Sequence, residues 1–165
     1  MIIIGMGSNI AFERHASCAE TISAASDLIH SKGVSVIAKS KLYRTAPIPK
    51  SDQSWFINAV IIVETKLSPL SLLNLLLEIE KIFGRVRLKK WEPRVLDLDL
   101  IAYNDILSSK GPILPHPRMH ERAFVLLPMS DLVPDWVHPK IKKNIAQIYE
   151  SIEFEQDIEP LENEE

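Results

Sequence analysis

The sequence predicts an α+β domain, a ferredoxin-like αβ sandwich with extra elements at its C-terminal side. Three observations carry the prediction. Isoleucine- and valine-rich runs have strand length, helical stretches end in proline and glycine signals, and the two kinds of segment follow in the order strand, helix, strand, strand, helix, strand. The chain has 165 residues, enough for one domain with its own core. Residues 1–150 read as that domain and residues 151–165 as an acidic tail.

Taken in order, Met1 to Met6 reads as a buried strand, with a turn at Gly7-Ser8-Asn9. A helix is expected from Ala11 to His30, with Gly33 past its end. From Val34 to Tyr43 the residues alternate. Val34, Val36, Ala38 and Leu42 share one face, and Ser35, Lys39 and Lys41 share the other, so this is one half-buried strand. Arg44 to Ser54, with Pro47 and Pro49, is a long loop, and long loops in compact domains often carry function. Trp55 to Thr65 is the next strand. Ser68 as N-cap and Pro69 at the first helical position open a helix that runs to Phe83 and stops at Gly84. Arg85 to Pro93 is a basic loop. Val95 to Tyr103 is a strand, Asn104-Asp105 a turn, and Ser108 to Pro117 a proline-rich loop. Short helices are expected over Arg118 to Leu132 and Ile141 to Glu150.

Charge is unevenly placed. The formal net charge is −3, but the stretch 150–165 holds eight acids and no base. The remainder has 14 acids against 19 basic residues, a body of charge +5. The acidic end reads as a solvated, frayed tail. A mildly basic body suits a phosphate-bearing ligand and is too weakly basic to indicate nucleic acid. One cysteine, Cys18, excludes an internal disulfide and fits a reducing cytoplasm. The apolar run Met1–Ile4 is too short for a signal peptide, and no segment has the length of a membrane span.

The chemistry concentrates in Trp91-Glu92-Pro93-Arg94-Val95-Leu96-Asp97-Leu98-Asp99-Leu100. On a strand, Asp97 and Asp99 point to the same face. Two like charges so close repel, more so when buried, and a divalent cation resolves the conflict. One or two carboxylates completed by substrate phosphates is the usual way to hold Mg²⁺. Just upstream, Arg85, Arg87, Lys89, Lys90 and Arg94 place five bases within ten residues, opposed only by Glu92. A charge run of this kind is usually a solvated face, but this one leads directly into the acidic pair. Arginine forks match phosphate oxygens and lysine adds point charge. The loop can close over a nucleotide as a lid.

His116 and His120 have a zinc-like spacing, but Pro115 and Pro117 bracket His116 and no cysteine is near. His116 is expected to contact phosphate, His120 to be an ordinary surface residue, and Arg122 to reach the same phosphates or make a surface salt bridge. Asn58 lies in an apolar strand, where a polar side chain needs partners. It can read a heterocycle edge or be satisfied by neighbouring backbone. Phe56 shares its face, and Phe124 can supply a second aromatic plane, although core packing is the usual fate of phenylalanine. Trp91, in a loop, reads as a contact residue. Gly5-Met6-Gly7 lacks the third glycine of a dinucleotide fingerprint, and no P-loop is present.

Together these residues resemble 6-hydroxymethyl-7,8-dihydropterin pyrophosphokinase of folate synthesis, over roughly residues 1–138. Four segments carry the resemblance. They are Gly7-Ser8-Asn9; Tyr43-Arg44-Thr45-Ala46-Pro47 with Asp52-Gln53 and Phe56-Ile57-Asn58-Ala59; Glu80 with Gly84-Arg85-Val86-Arg87; and Pro93-Arg94-Val95-Leu96-Asp97-Leu98-Asp99 with Pro115-His116 and Arg122-Ala123-Phe124. The resemblance implies transfer of the β,γ-pyrophosphoryl group of ATP to the hydroxymethyl group of a reduced pterin, with release of AMP. It implies Asp97 and Asp99 as ligands of two Mg²⁺ ions. Arg85, Arg94, His116 and Arg122 would hold the triphosphate, with Glu80 and Leu100 also at the ATP site. Arg87, Lys89 and Trp91 would lie in the closing loop. Asn58 would read the pterin, Phe56 and Phe124 sandwich it, and Thr45, Ala46, Pro47 and Ile48 form the neighbouring wall. Arg85, Arg94, Asp97 and Asp99 carry catalysis in that reading, and metal coordination acidifies the pterin hydroxyl. Glu92 stands where the family usually has glycine. The expected partners are small molecules only, with no nucleic acid and no membrane. A monomer is expected, with weak association with a dihydropteroate synthase.

Three rival readings differ in class. A Mg-dependent nucleotidyltransferase also pairs a Gly-Ser turn with Asp-x-Asp, but there the two lie close in sequence, unlike Ser8 and Asp97. A ferredoxin-like RNA-binding module would need an aromatic strand motif that is missing. A catalytically dead relative is opposed by the intact aspartate pair.

Overall fold

The computed structural model describes residues 1–85, 92–153 and 156–162. The elements run β1 (Ile2–Ser8), α1 (Cys18–Ser31), β2 (Ser35–Lys39), β3 (Tyr43–Thr45), β4 (Phe56–Glu64), α2 (Pro69–Ile82) and β5 (Asp97–Tyr103). They continue with a 3₁₀ turn at Met119–Glu121, α3 (Ala123–Leu132), α4 (Ile145–Glu150) and β6 (Ile158–Pro160). Among the described residues the strands form one antiparallel sheet in the order β5-β1-β4-β3-β6, with β2 also paired to β4.

Strand alternation sorts the apolar residues into two cores, one on each face. Ile2, Ile4, Met6, Ile61, Leu98 and Leu100 pack with Ile22, Ile29, Leu72, Leu76 and Ile79 of α1 and α2. Ile3, Val60, Ile62 and Ile101 pack with Val125, Leu126 and Met129 of α3 and Ile145 and Ile148 of α4. Each fully buried leucine or isoleucine stabilises the fold by about 1.5–3 kcal/mol relative to exposure.

Several boundaries follow the sequence signals. The Ser68 hydroxyl caps α2 by accepting the Ser71 N–H at 3.2 Å, and Gly84 takes a φ of +80° just past its end. Others differ. The first helix starts at Cys18 and not at Ala11, because Ser17 accepts the Glu20 N–H and Glu20 returns to the Ala16 N–H. Residues before it are held otherwise, with Asn9 and Ile10 both donating to the Arg94 carbonyl. The strand expected from Val34 to Tyr43 is two strands. At Ser40 the hydroxyl accepts the Val60 N–H and donates to the Lys41 carbonyl, and the chain bends. β3 then continues into the expected loop as far as Thr45, and the buried Tyr43 hydroxyl donates to Asp131 on α3. The helix expected from Arg118 breaks into the 3₁₀ turn and α3, with Arg122 extended between them.

The acidic tail is not frayed throughout. β6 pairs with β3, setting Ile158 opposite Thr45 and Pro160 opposite Tyr43. Extended backbone offers hydrogen bonds whatever its charge, and β3 had an open edge.

Candidate functional site

On the α3/α4 face the apolar core gives way, at one end of the sheet, to polar side chains. Glycine in β1 makes this possible. Gly7 is the register partner of Asn58 on β4 and of Asp97 on β5, and Gly5 pairs with Asp99. A Cβ at Gly7 would lie 2.9 Å from Asn58 Oδ1 and 4.0 Å from the Asp97 Cβ, so both side chains lean over the glycine. Asn58, Gly7 and Asp97 thus form one row across three strands.

The acidic pair sits inside a set of arginines. Arg85 Nη1 donates to Asp97 Oδ1 at 2.5 Å and to Glu80 Oε1 at 2.5 Å, and Arg94 Nη1 donates to Asp97 Oδ2 at 2.6 Å. Arg122 Nη1 stands 3.7 Å from Asp99 Oδ2. Burial, and then the negative charge of Asp97, push the Asp99 carboxyl up to about 6, against the pull of Arg122, Arg94 and Arg85. An acid held partly protonated beside another acid is a site that gains from a cation.

The fit to Mg²⁺ can be tested on donor chemistry. Each Asp97 oxygen accepts one of these arginine bonds, and a carboxylate oxygen has about two acceptor sites, so capacity remains. Asp99 shares the face. Among the described residues no group of three or more His, Cys, Asp or Glu side chains is placed to hold a metal. The pair therefore suits a hard cation whose other ligands are phosphate and water.

Next to the pair opens a cavity of about 360 Å³. Thr45, Ala46, Pro47, Ile48, Phe56, Asn58 and Phe124, the residues expected around a pterin, all line it, as do Arg94, Asp97, Asp99 and Arg122. Asn58 is buried and donates from Nδ2 to Thr45 Oγ1 at 2.6 Å. The guanidinium of Arg122 lies over the Phe124 ring at 5.4 Å. Glu92 lines the same cavity.

The other expected ATP residues lie outside this lining. Glu80 is 2% exposed and, besides Arg85, accepts the Leu98 N–H at 2.8 Å. Leu100 is buried in the α1/α2 core. His116 is held by its own N–H on the Ile101 carbonyl at 2.7 Å, while its Nδ1 accepts the Arg118 N–H. Burial and then the charge of Arg122 lower the His116 pKa to about 4, so the ring is neutral at pH 7 with Nε2–H as donor. His120 meets His138 edge-on at 6.2 Å, away from any metal-binding cluster among the described residues. Arg87, Lys89, Lys90 and Trp91 lie outside the described residues.

Sequence reasoning missed three contributors. Gln156, in the supposed tail, lines the cavity, as do Arg118 and Glu121, an ion pair at 3.5 Å. Only the i,i+3 spacing of the last two was legible in the sequence. For Gln156 no local signal existed, because its neighbours come from β3.

The chain is similar to known proteins. The chain matches the family model described as 7,8-dihydro-6-hydroxymethylpterin-pyrophosphokinase over residues 3–134. It is 42% identical over 135 residues to a 2-amino-4-hydroxy-6-hydroxymethyldihydropteridine pyrophosphokinase of Methylorubrum extorquens, covering 81% of this chain and 83% of that protein. A protein of the same name from Synechocystis is 38% identical over 154 residues, covering 92% of this chain and 75% of that one. A crystal structure of a Plasmodium falciparum HPPK-DHPS protein superposes with a TM-score of 0.71 at 15% identity, over 91% of this chain and 41% of that one, a likeness of fold. With the matched stretch holding every expected site residue, the chain belongs to the 7,8-dihydro-6-hydroxymethylpterin-pyrophosphokinase family.

Proposed function

We propose that this chain transfers the terminal pyrophosphoryl group of ATP to the hydroxymethyl group of 6-hydroxymethyl-7,8-dihydropterin, giving the pterin diphosphate and AMP in folate biosynthesis. The observation that carries the reading is the row Asn58–Gly7–Asp97. It sets a heterocycle-reading amide beside the carboxylate that faces phosphate, with no side chain between them. In-line displacement at phosphorus needs little covalent help, only positioning and charge.

Asn58 reads the pterin edge, Phe56 and Phe124 cover its faces, and Thr45 to Ile48 form the wall. Arg94, Arg122 and neutral His116 donate to the triphosphate, and Arg85 does so while anchored on buried Glu80. Leu100 turns its side chain to the core and offers its main chain at the outer edge of β5, where the Leu98 N–H already reaches Glu80. Arg87, Lys89 and Trp91, outside the described residues, would act on ATP in this reading. Asp97 and Asp99 hold Mg²⁺, two ions in this reading. A cation held there would neutralise phosphate charge and make the pterin hydroxyl more acidic. Arg85 and Arg94 keep Asp97 aimed through their hydrogen bonds to its two oxygens.

The sheet order β5-β1-β4-β2, with α1 and α2 on one face, supports a ferredoxin-like description of the first part of the chain. The lone Cys18 suits a cytoplasmic enzyme. The solved HPPK-DHPS protein supports a weak association with a dihydropteroate synthase. The nucleotidyltransferase alternative is not favoured by the family match.

The test is one assay with MgATP and the reduced pterin, counting AMP. Stoichiometric AMP and pterin diphosphate are expected, with at least a hundredfold loss in Asp97→Ala, the scale for removing transition-state charge stabilisation. Pyrophosphate as product, or full activity in the variant, overturns the reading.

A further inference from the structure

The cavity has a wall that comes from outside the family match. Ala46 lies at the centre of the pterin-facing wall, and both of its main-chain polar groups are held by the C-terminal segment. Its N–H donates to the Asp157 carbonyl at 2.9 Å, and its carbonyl accepts from Gln156 Nε2 at 2.6 Å. β6 then runs along β3, and the Leu161 N–H closes the far end on the Leu42 carbonyl at 2.8 Å. The family match ends at residue 134.

The amide orientation is settled by chemistry. A carbonyl only accepts, so the Gln156 NH₂ must face Ala46, which leaves Oε1 turned away. That oxygen is buried and, among the described residues, has no hydrogen-bond partner. An unpaired buried acceptor is a cost. A methionine would fill the same space without it. The benefit that offsets the cost is not the residue's own hydrogen-bond balance but the fixed carbonyl of Ala46.

Fixing Ala46 has a consequence at the ligand. Thr45 precedes it, and the Thr45 hydroxyl accepts from Asn58 Nδ2. Gln156 holds Ala46, Ala46 fixes the position of Thr45, and Thr45 orients the amide of Asn58. The exposed Arg44–Glu159 pair at 3.2 Å adds little to this. Among the described residues, the side-chain hydrogen bond of Gln156 goes to Ala46 and not to the aspartates or the arginines around them.

We propose that Gln156 is a positioning residue for the pterin subsite: with the Asp157 carbonyl it clamps Ala46 and presets the wall that orients Asn58 before substrate arrives. This rests on the pterin reading of the cavity. The clamp acts on pterin binding and not on the triphosphate.

The test compares Gln156→Met and Gln156→Glu with wild type in the full chain, measuring kcat and separate KM values for the reduced pterin and ATP. Thermal midpoints serve as the folding control. In Gln156→Met the pterin KM rises about tenfold, roughly one hydrogen bond of positioning, with kcat and the ATP KM within about twofold. Gln156→Glu has no donor when ionised. Its carboxyl takes the buried place of the amide, and burial raises its pKa above the free value of about 4.3. The variant's pterin KM, taken as a ratio to wild type, is therefore raised at about pH 8 and falls toward one as the pH nears about 5 and the regained proton donates to Ala46. A merely structural role would not produce that recovery. An unchanged pterin KM in both variants overturns the proposal, and so does a loss of kcat and both KM values that tracks the thermal midpoint. If wild type itself makes no AMP from the pterin, the parent reading fails instead, and the two failures are distinct.

Discussion

The side-chain oxygen of Asn9 accepts the main-chain N–H of Arg94 at 2.6 Å. The Arg94 carbonyl takes the Asn9 N–H in return at 3.0 Å. Asn9 Nδ2 reaches the other way, to Gln53 Oε1 at 3.1 Å and the Ser54 carbonyl at 3.2 Å. One buried amide therefore splices the approach to β5, with Arg94, to the loop beside the cavity wall.

Asn9→Ala removes these side-chain bonds and leaves a main-chain N–H without its partner. A loss of about 2–3 kcal/mol is expected in urea unfolding, with KM rising for both ATP and pterin. Asn9→Asp keeps the bond to Arg94 and should affect ATP less than pterin. A variant with only the ATP KM changed would contradict the splice.

Gly7→Ala places a methyl 2.9 Å from Asn58 Oδ1. The amide must rotate away or the strands must part. Destabilisation of about 1–3 kcal/mol is expected, with pterin binding weakened more than ATP binding. Titration of the reduced pterin by calorimetry checks it, and equal affinity would show that the cavity does not use this row.

Glu80 is buried against Arg85, whose side chain is 7% exposed. Among the described residues, Glu80→Ala leaves the guanidinium with Asp97 alone and the buried Leu98 N–H without its acceptor. About 2–3 kcal/mol of stability is at stake, since a buried donor loses its partner and a buried charge loses one of its two. Glu80→Gln, which keeps an acceptor, should lose less stability yet still lower kcat, because Arg85 is then pulled only by Asp97. Chemical denaturation and single-turnover kinetics separate the two effects.

Asp99 carries a cost in the free protein. Its pKa rises from 3.8 to about 6, so between those values the folded chain keeps a proton that the unfolded chain has lost. Its contribution to stability is present below that window and falls as pH rises through it. Asp99→Asn should stabilise the metal-free chain at about pH 7.5 by roughly 1–2 kcal/mol, allowing for partial exposure, while abolishing transfer. A variant less stable than wild type at that pH would refute the assignment.

His116 has the opposite slope. Its pKa falls from 6.5 to about 4, so in that window the unfolded chain binds a proton that the folded chain refuses. Stability from this group is lost as pH drops from 6.5 toward 4. His116→Gln should flatten the acid limb of the stability curve. An NMR titration of wild type should place the ring's midpoint far below the free histidine value, and phosphate-rich ligands should raise it. A midpoint near 6.5 would show that the ring is not buried as described.

How much was legible follows the range of the interactions. The helix α2 was readable because Ser68, Pro69 and Gly84 act on their own backbone. Its counterpart α1, expected from Ala11, starts at Cys18, where Ser17 and Glu20 cap it. β5 and its acidic pair were readable because a strand alternates sides every residue, and so Asp97 and Asp99 had to share a face.

The sequence by itself determined the chemistry. Residue types and spacing pointed to a cation-seeking acid pair beside a basic run, and the family resemblance added the expectation of phosphate-holding arginines and a pterin pocket. Only the tertiary structure decided their company. That Gly7 stands between Asn58 and Asp97, that Glu80 anchors Arg85, and that an acidic C-terminal strand clamps Ala46 are relations between strands far apart in the chain. Local propensity acts over a few residues, whereas strand register is set by how two faces bury their apolar side chains together, and no window of sequence contains both partners.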